Sequence, residues 1–122
     1  MKTEKIKTAE VFYKNIKAGF LTRKEDGYEF EYDSSYSGNP YSHPVSKTLP
    51  ISQGKFYSKK LFPFFENLLP EGVLLEITSR KLKIDKNNKF ELLMHVGKDT
   101  VGAVAVNLRN RKFQYEYMSM LP

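Results

Sequence analysis

The sequence predicts an α+β domain, with an antiparallel sheet or small, partly open barrel of about five to seven strands and two to three helices packed on it. Three observations carry this. Aromatic and charged residues alternate with period two early in the chain, apolar stripes with helical period occupy residues 58–96, and an uncharged Val- and Ala-rich run follows at 100–108. Strands, then helices, then strands again, with no βαβ repeat, is the α+β order. At 122 residues the chain has the size of one domain, 1–122, and buries a core without covalent help.

Val11-Phe12-Tyr13 and Gly19-Phe20-Leu21-Thr22 read as strands around a polar turn, Lys14-Asn15-Ile16-Lys17. Tyr28, Phe30 and Tyr32 alternate with Glu29, Glu31 and Asp33 as a third, half-buried strand, and Asp26-Gly27 before it is a hairpin turn. Residues 34–44, rich in Ser and carrying Gly38, Pro40 and Pro44, read as a surface loop. Val45 to Pro50 is expected to return to a short strand, ended by Pro50.

Helical spacing begins near Ser58, a candidate cap, with Leu61, Phe64, Phe65, Leu68 and Leu69 on one face. Pro63 fits only the first turn, so the regular helix is expected from about Lys60 or later, ending at Pro70. A second helix, Pro70 to about Lys83, is expected to turn Val73, Leu74, Ile77 and Leu82 inward, with Glu71 and Glu76 early and Arg80, Lys81 and Lys83 late, as the helix dipole favours. Asn88 and Glu91 have capping-box spacing for a third helix carrying Phe90, Leu93 and Met94, stopped by Gly97. Thr100 to Leu108 reads as a buried strand, and Phe113, Tyr115 and Tyr117, after a turn at Asn110, as the partner that closes a last hairpin.

Composition removes several function classes. Cysteine is absent, which excludes disulfides, thiol catalysis and thiolate metal sites and is compatible with a reducing, cytoplasmic home. The charged N-terminus is neither a signal peptide nor a membrane anchor, and no apolar run approaches bilayer length. Twenty Lys and Arg against 14 Asp and Glu give a net charge of +6, which invites a nucleic-acid reading. The basic residues are scattered among acids, however, and a phosphate-tracking face is normally clustered.

Catalytic constellations are missing too. His43 and His95 have no His, Cys or carboxylate at metal-ligand spacing, so no metal is expected. The serines near His43 lie in a loop without the strand-to-helix turn that holds a nucleophilic serine. Glu66, Glu71 and Glu76 read as exposed helix charges, and Gly97 and Gly102 fit neither the phosphate-loop nor the dinucleotide spacing. No cofactor or small-molecule ligand is implied. Tyr36, Tyr41, Phe56 and Tyr57 cluster in or beside loops, where aromatics either roof a core or meet a partner.

Three segments together resemble the N-terminal subdomain of the HipA family of bacterial kinase toxins: Pro44-Val45-Ser46-Lys47-Thr48-Leu49-Pro50, the more specific run from Phe64 to Gly72 through Asn67-Leu68-Leu69-Pro70-Glu71, and the run from Phe90 to Val104. Val11, Gly19, Leu21 and Tyr32 fit more loosely, so the resemblance covers nearly the whole chain. Each segment also has a local reading: Asn67 to Gly72 is a helix end and restart, and Gly97 to Val104 a helix stop running into a buried strand where Gly102 permits close approach. Such residues identify a fold, not a function.

In HipA-like kinases this subdomain precedes a larger body that holds the nucleotide site and catalytic aspartates, so the resemblance implies no catalysis by this chain alone. The family includes split systems in which a small HipS-like protein is the antitoxin of a HipT-like kinase, beside a HipB-like helix-turn-helix protein. A chain from Met1 to Pro122 fits that stand-alone form. The implied role is antitoxin: docking on the kinase's N-terminal lobe through the junction Leu69, Pro70, Glu71, Gly72, Val73 and Leu74, with DNA reached only through the complex and no membrane involved. Small members often have tryptophan immediately after Glu-Gly, where this chain has Val73; valine offers less area, moving weight to Leu74 or Phe65, and Val73 also reads as an ordinary core residue. The alternatives are a regulatory subdomain excised from an intact kinase, or a basic DNA-binding accessory of the repressor complex.

Overall fold

The computed structural model describes residues 7–97 and 103–108. Five antiparallel strands form an open sheet in the order β4-β3-β2-β1-β5. They are β1 (Lys7–Tyr13), β2 (Ile16–Lys24), β3 (Gly27–Tyr32), β4 (Lys55–Ser58) and β5 (Val104–Leu108). Four α-helices, α1 (Ser34–Ser37), α2 (Pro63–Glu66), α3 (Gly72–Leu82) and α4 (Lys89–Val96), and a 3-10 turn at Ile51–Gln53 complete the described elements. The class is the expected α+β; two of the helices are single turns.

Both early hairpins form where turn chemistry places them. Lys14 and Asn15 adopt positive φ (50° and 70°), the two-residue turn whose twist suits antiparallel strands, and β2 meets β3 across Glu25-Asp26, one residue before the expected Asp26-Gly27, with Gly27 opening β3 opposite Lys24. Register then sorts the sheet into two faces. Ala9, Leu21, Phe30 and Phe56 align across four strands, and Val106, Val11, Gly19 and Tyr32 form the neighbouring row; all the non-glycine members are buried. The opposite face carries rows such as Glu10, Phe20, Glu31 and Lys55, half-buried or exposed, as expected for a sheet covered on one side.

The cover is α4 with α2. Phe90, Leu92 and Leu93 of α4 and Phe65 of α2 are buried on the core. Asn88 caps α4 by accepting from the Glu91 amide at 3.4 Å. Only that half of the capping box forms. The Glu91 carboxylate instead meets Lys7 and, at 3.8 Å, Arg23, whose guanidinium also lies 5.1 Å from the Phe90 ring centre. Gly97 does not end α4 as a left-handed cap, since its φ is −65°. Its role is steric: a Cβ there would stand 2.9 Å from the Val106 carbonyl oxygen, so glycine lets α4 close onto β5.

Elsewhere the elements differ from expectation. Val45 to Pro50 is not a strand. Two of its buried backbone groups go to a side chain, the Tyr32 hydroxyl accepting from the Val45 amide at 2.9 Å and donating to the Leu49 carbonyl at 2.5 Å, while the Leu49 amide turns back to the Ser46 carbonyl. Within the expected loop, Asp33 caps the single turn of α1 through the Ser35 amide. The unexpected strand is β4, four residues that pair with β3. The first long helix contracts to α2, with Pro63 in its first turn, while Ser58 accepts from the Lys60 amide in a preceding turn. Successive turns still place Leu61, Phe65 and Leu69 inside. The expected closing hairpin with Phe113, Tyr115 and Tyr117, and the glycine at 102, lie outside the described residues.

Candidate partner-binding site

The junction between α2 and α3 holds the six residues Leu69 to Leu74, and the structure divides them. Leu69 is buried and belongs to the core, and Pro70 is half-buried. Glu71, Gly72, Val73 and Leu74 are exposed. Glu71 has extended backbone (φ −122°, ψ 164°), and Gly72 turns left-handed at φ +61°, redirecting the chain into α3. No atom lies within 4 Å of where a Gly72 Cβ would stand, so the glycine answers the backbone conformation and not crowding.

α3 departs furthest from its expected role. It has no buried residue, and only Leu75 and Leu82 of its apolar side chains lean on the core. Val73, Leu74 and Ile77, expected to face inward, are 74 %, 59 % and 46 % exposed. Val73 is therefore not a core residue, and Phe65, fully buried, cannot take over a contact from it. Ile77 is the member of this surface outside the six-residue junction; its place one turn beyond Val73 is the signal that adds it.

Polar groups hold the far end of α3. Lys83 terminates it in the left-handed region at φ 58°, its amide donating to Arg80 and the Ile84 amide to Ser79. The Glu76 carboxylate accepts from Lys86 at 2.6 Å, which holds Glu76 below the usual carboxylate range and raises Lys86. Glu66 meets Lys89 at 3.0 Å, so both carboxylates serve ion pairs.

Other candidate chemistry disperses. Among the described residues no three His, Asp or Glu side chains gather where a metal could sit. His43 packs its ring 6.0 Å from Tyr13 and its carbonyl accepts from Tyr36, while His95 is exposed on α4. Of the loop aromatics, Tyr36 and Phe56 roof the core, and Tyr41 and Tyr57 are exposed. No helix among the described residues is long and apolar enough to cross a membrane.

The family model described as the HipA N-terminal domain matches residues 9–107. An uncharacterised protein of Haemophilus influenzae is 33% identical over 101 residues, spanning 83% of this chain and 92% of its own length. The serine/threonine-protein kinase toxin HipA of Shewanella oneidensis is 31% identical over 107 residues, but this chain spans only 24% of it. Among solved structures, an N-terminal domain of HipA toxin superposes with a TM-score of 0.69 at 29% identity, covering 86% of this chain and 94% of that one. HipA in a Shewanella oneidensis complex with HipB and operator DNA shares the fold, with a TM-score of 0.70 at 23% identity over 93% of this chain and 29% of that one. This chain belongs to the HipA N-terminal domain family.

Proposed function

We propose that this protein is the antitoxin of a split kinase system: it binds a HipT-like serine/threonine kinase and restrains it, within a complex that also holds a HipB-like DNA-binding protein. One observation carries the reading. The junction that follows α2 ends in exposed Val73 and Leu74 on a helix with no buried residue, so the chain presents apolar surface that a partner would cover. The family supplies the partner's class, because the kinase toxin relative has this fold as about a quarter of its length. Catalysis is assigned to the partner, and this chain acts by occupying or biasing a kinase surface, which requires direct occlusion or tighter binding to the inactive state.

That same quarter-length match favours a second reading, in which the chain is the regulatory subdomain of a longer kinase. Growth of cells expressing a HipT-like kinase from the same genome, with and without this protein, separates the two when combined with co-purification. Rescue of growth with a stable complex is the expected result, and Val73→Asp with Leu74→Asp is expected to abolish both. Complex formation without rescue would leave a structural or regulatory subunit; absence of complex and rescue together would overturn the antitoxin reading.

A further inference from the structure

We infer that the outer face of α3 seats in an apolar groove with an acidic rim on the partner kinase, Val73, Leu74 and Ile77 filling the groove and Arg80 and Lys81 meeting the rim. This rests on the kinase-binding reading and specifies the surface that would receive the helix. α3 is 11 residues long, too short to persist in water on propensity alone, so packing of some apolar face must hold it. Its inner side supplies little: Leu75 and Leu82 are only half-buried, whereas the eight residues of α4 bury three side chains. Three of the six large apolar side chains exposed among the described residues stand on this one helix.

The stripe continues into charge. Arg80 and Lys81 follow Ile77 at i+3 and i+4, so one face runs from apolar at its start to cationic at its end. The one carboxylate within α3, Glu76, is held by Lys86 at 2.6 Å; Arg80 acts on it electrostatically from farther away, and among the described residues neither Arg80 nor Lys81 has an ion-pair partner within 4.0 Å. Two cations outside any close ion pair at the end of an apolar stripe fit a surface that places carboxylates beside a groove. A second copy of this chain fits poorly, because each copy brings the same cations and a net charge of +6.

The test uses the intact chain and a purified HipT-like kinase from the same genome, following association and dissociation at several salt concentrations. Ile77→Asp is expected to weaken the complex by about thirtyfold or more, mostly through faster dissociation. The pair Arg80→Glu and Lys81→Glu is expected to slow association about tenfold at low salt and flatten its salt dependence. The same reversal at exposed Lys59 and Lys60, away from α3, is the control and is expected to do much less. All these positions are exposed, so each variant is expected to fold, with circular dichroism as the check.

Native-like binding by both α3 variants overturns the inference while kinase binding stands. An effect of Ile77→Asp without a larger effect of the α3 reversal than of the control removes the acidic rim and overturns it as stated. Failure of the native chain to bind the kinase overturns the kinase-binding reading and the inference with it. A dimer of the free protein dispersed by Ile77→Asp in sedimentation makes the occupant a second copy, which also refutes it.

Discussion

Tyr32→Phe removes one oxygen and tests how the segment from Pro44 to Pro50 is held. The hydroxyl accepts from the Val45 amide and donates to the Leu49 carbonyl, and Val45 and Leu49 are 5% and 3% exposed. Burial raises the Tyr32 pKa, consistent with a hydroxyl that stays neutral and serves as donor and acceptor together. Phenylalanine keeps the ring and its edge contact with Phe30, 4.8 Å between centres, so the substitution isolates the hydrogen bonds. Two buried backbone groups then lose their partner. At about 1–3 kcal/mol for each unsatisfied group, reduced where water enters beside the exposed prolines, the expected loss is about 2–4 kcal/mol. For a domain of this size that lowers Tm by roughly 8–16 °C. Urea unfolding measures it, with an unchanged m-value showing that the native state stays compact. A loss below about 0.5 kcal/mol would refute the claim that this hydroxyl anchors the segment.

Gly97→Ala drives a methyl group into the Val106 carbonyl and side chain and is expected to cost about 1–3 kcal/mol, read as a lower urea midpoint and faster amide exchange across α4 and β5. Lys83→Gly relieves a left-handed lysine at the end of α3 and is expected to stabilise by about 1 kcal/mol in the same assay. The Ser35 side chain, with its amide and nearby Lys17, holds the Asp33 carboxyl below its ordinary value. Because the folded pKa is the lower one, its contribution is present above the unfolded aspartate pKa and disappears as pH falls through the folded value. Asp33→Ala is expected to cost about 1 kcal/mol at neutral pH, with the difference from the native chain vanishing in acid; a constant difference across that range would remove the charge from the explanation.

Sequence reading reached the first three strands because each alternates with period two and is bounded by residues suited to tight turns. It missed β4 because four residues, Lys55 to Ser58, give too few alternations to stand out beside the lysines that follow. The Val45–Pro50 segment has extended, β-favouring residues, yet its Val45 amide and Leu49 carbonyl go to a tyrosine 13 and 17 residues earlier, a pairing that local pattern does not encode. The candidate site was half legible. Prolines, glycine and helical spacing mark the junction from Leu69 to Leu74, but a stripe turned toward a partner has the same period as one turned toward a core, so the outward face of Val73, Leu74 and Ile77 emerged only with tertiary structure. Leu69 shows the converse: it sits inside the motif and faces the core.

The position of β1 between β2 and β5 sets an order on assembly. β2, β3 and β1 join through tight turns, but the other edge of β1 is claimed by a strand from the far end of the chain, Val11 lying opposite Val106. Contacts so distant in sequence close late and slowly. On the ribosome the first three strands emerge early with one edge of β1 open, and α4, which rests on β5, waits with them. A chain halted before residue 104 would carry the whole α3 surface and lack the strand against which Gly97 closes, so the nascent protein can display the exposed apolar stripe of α3 before it owns a finished core.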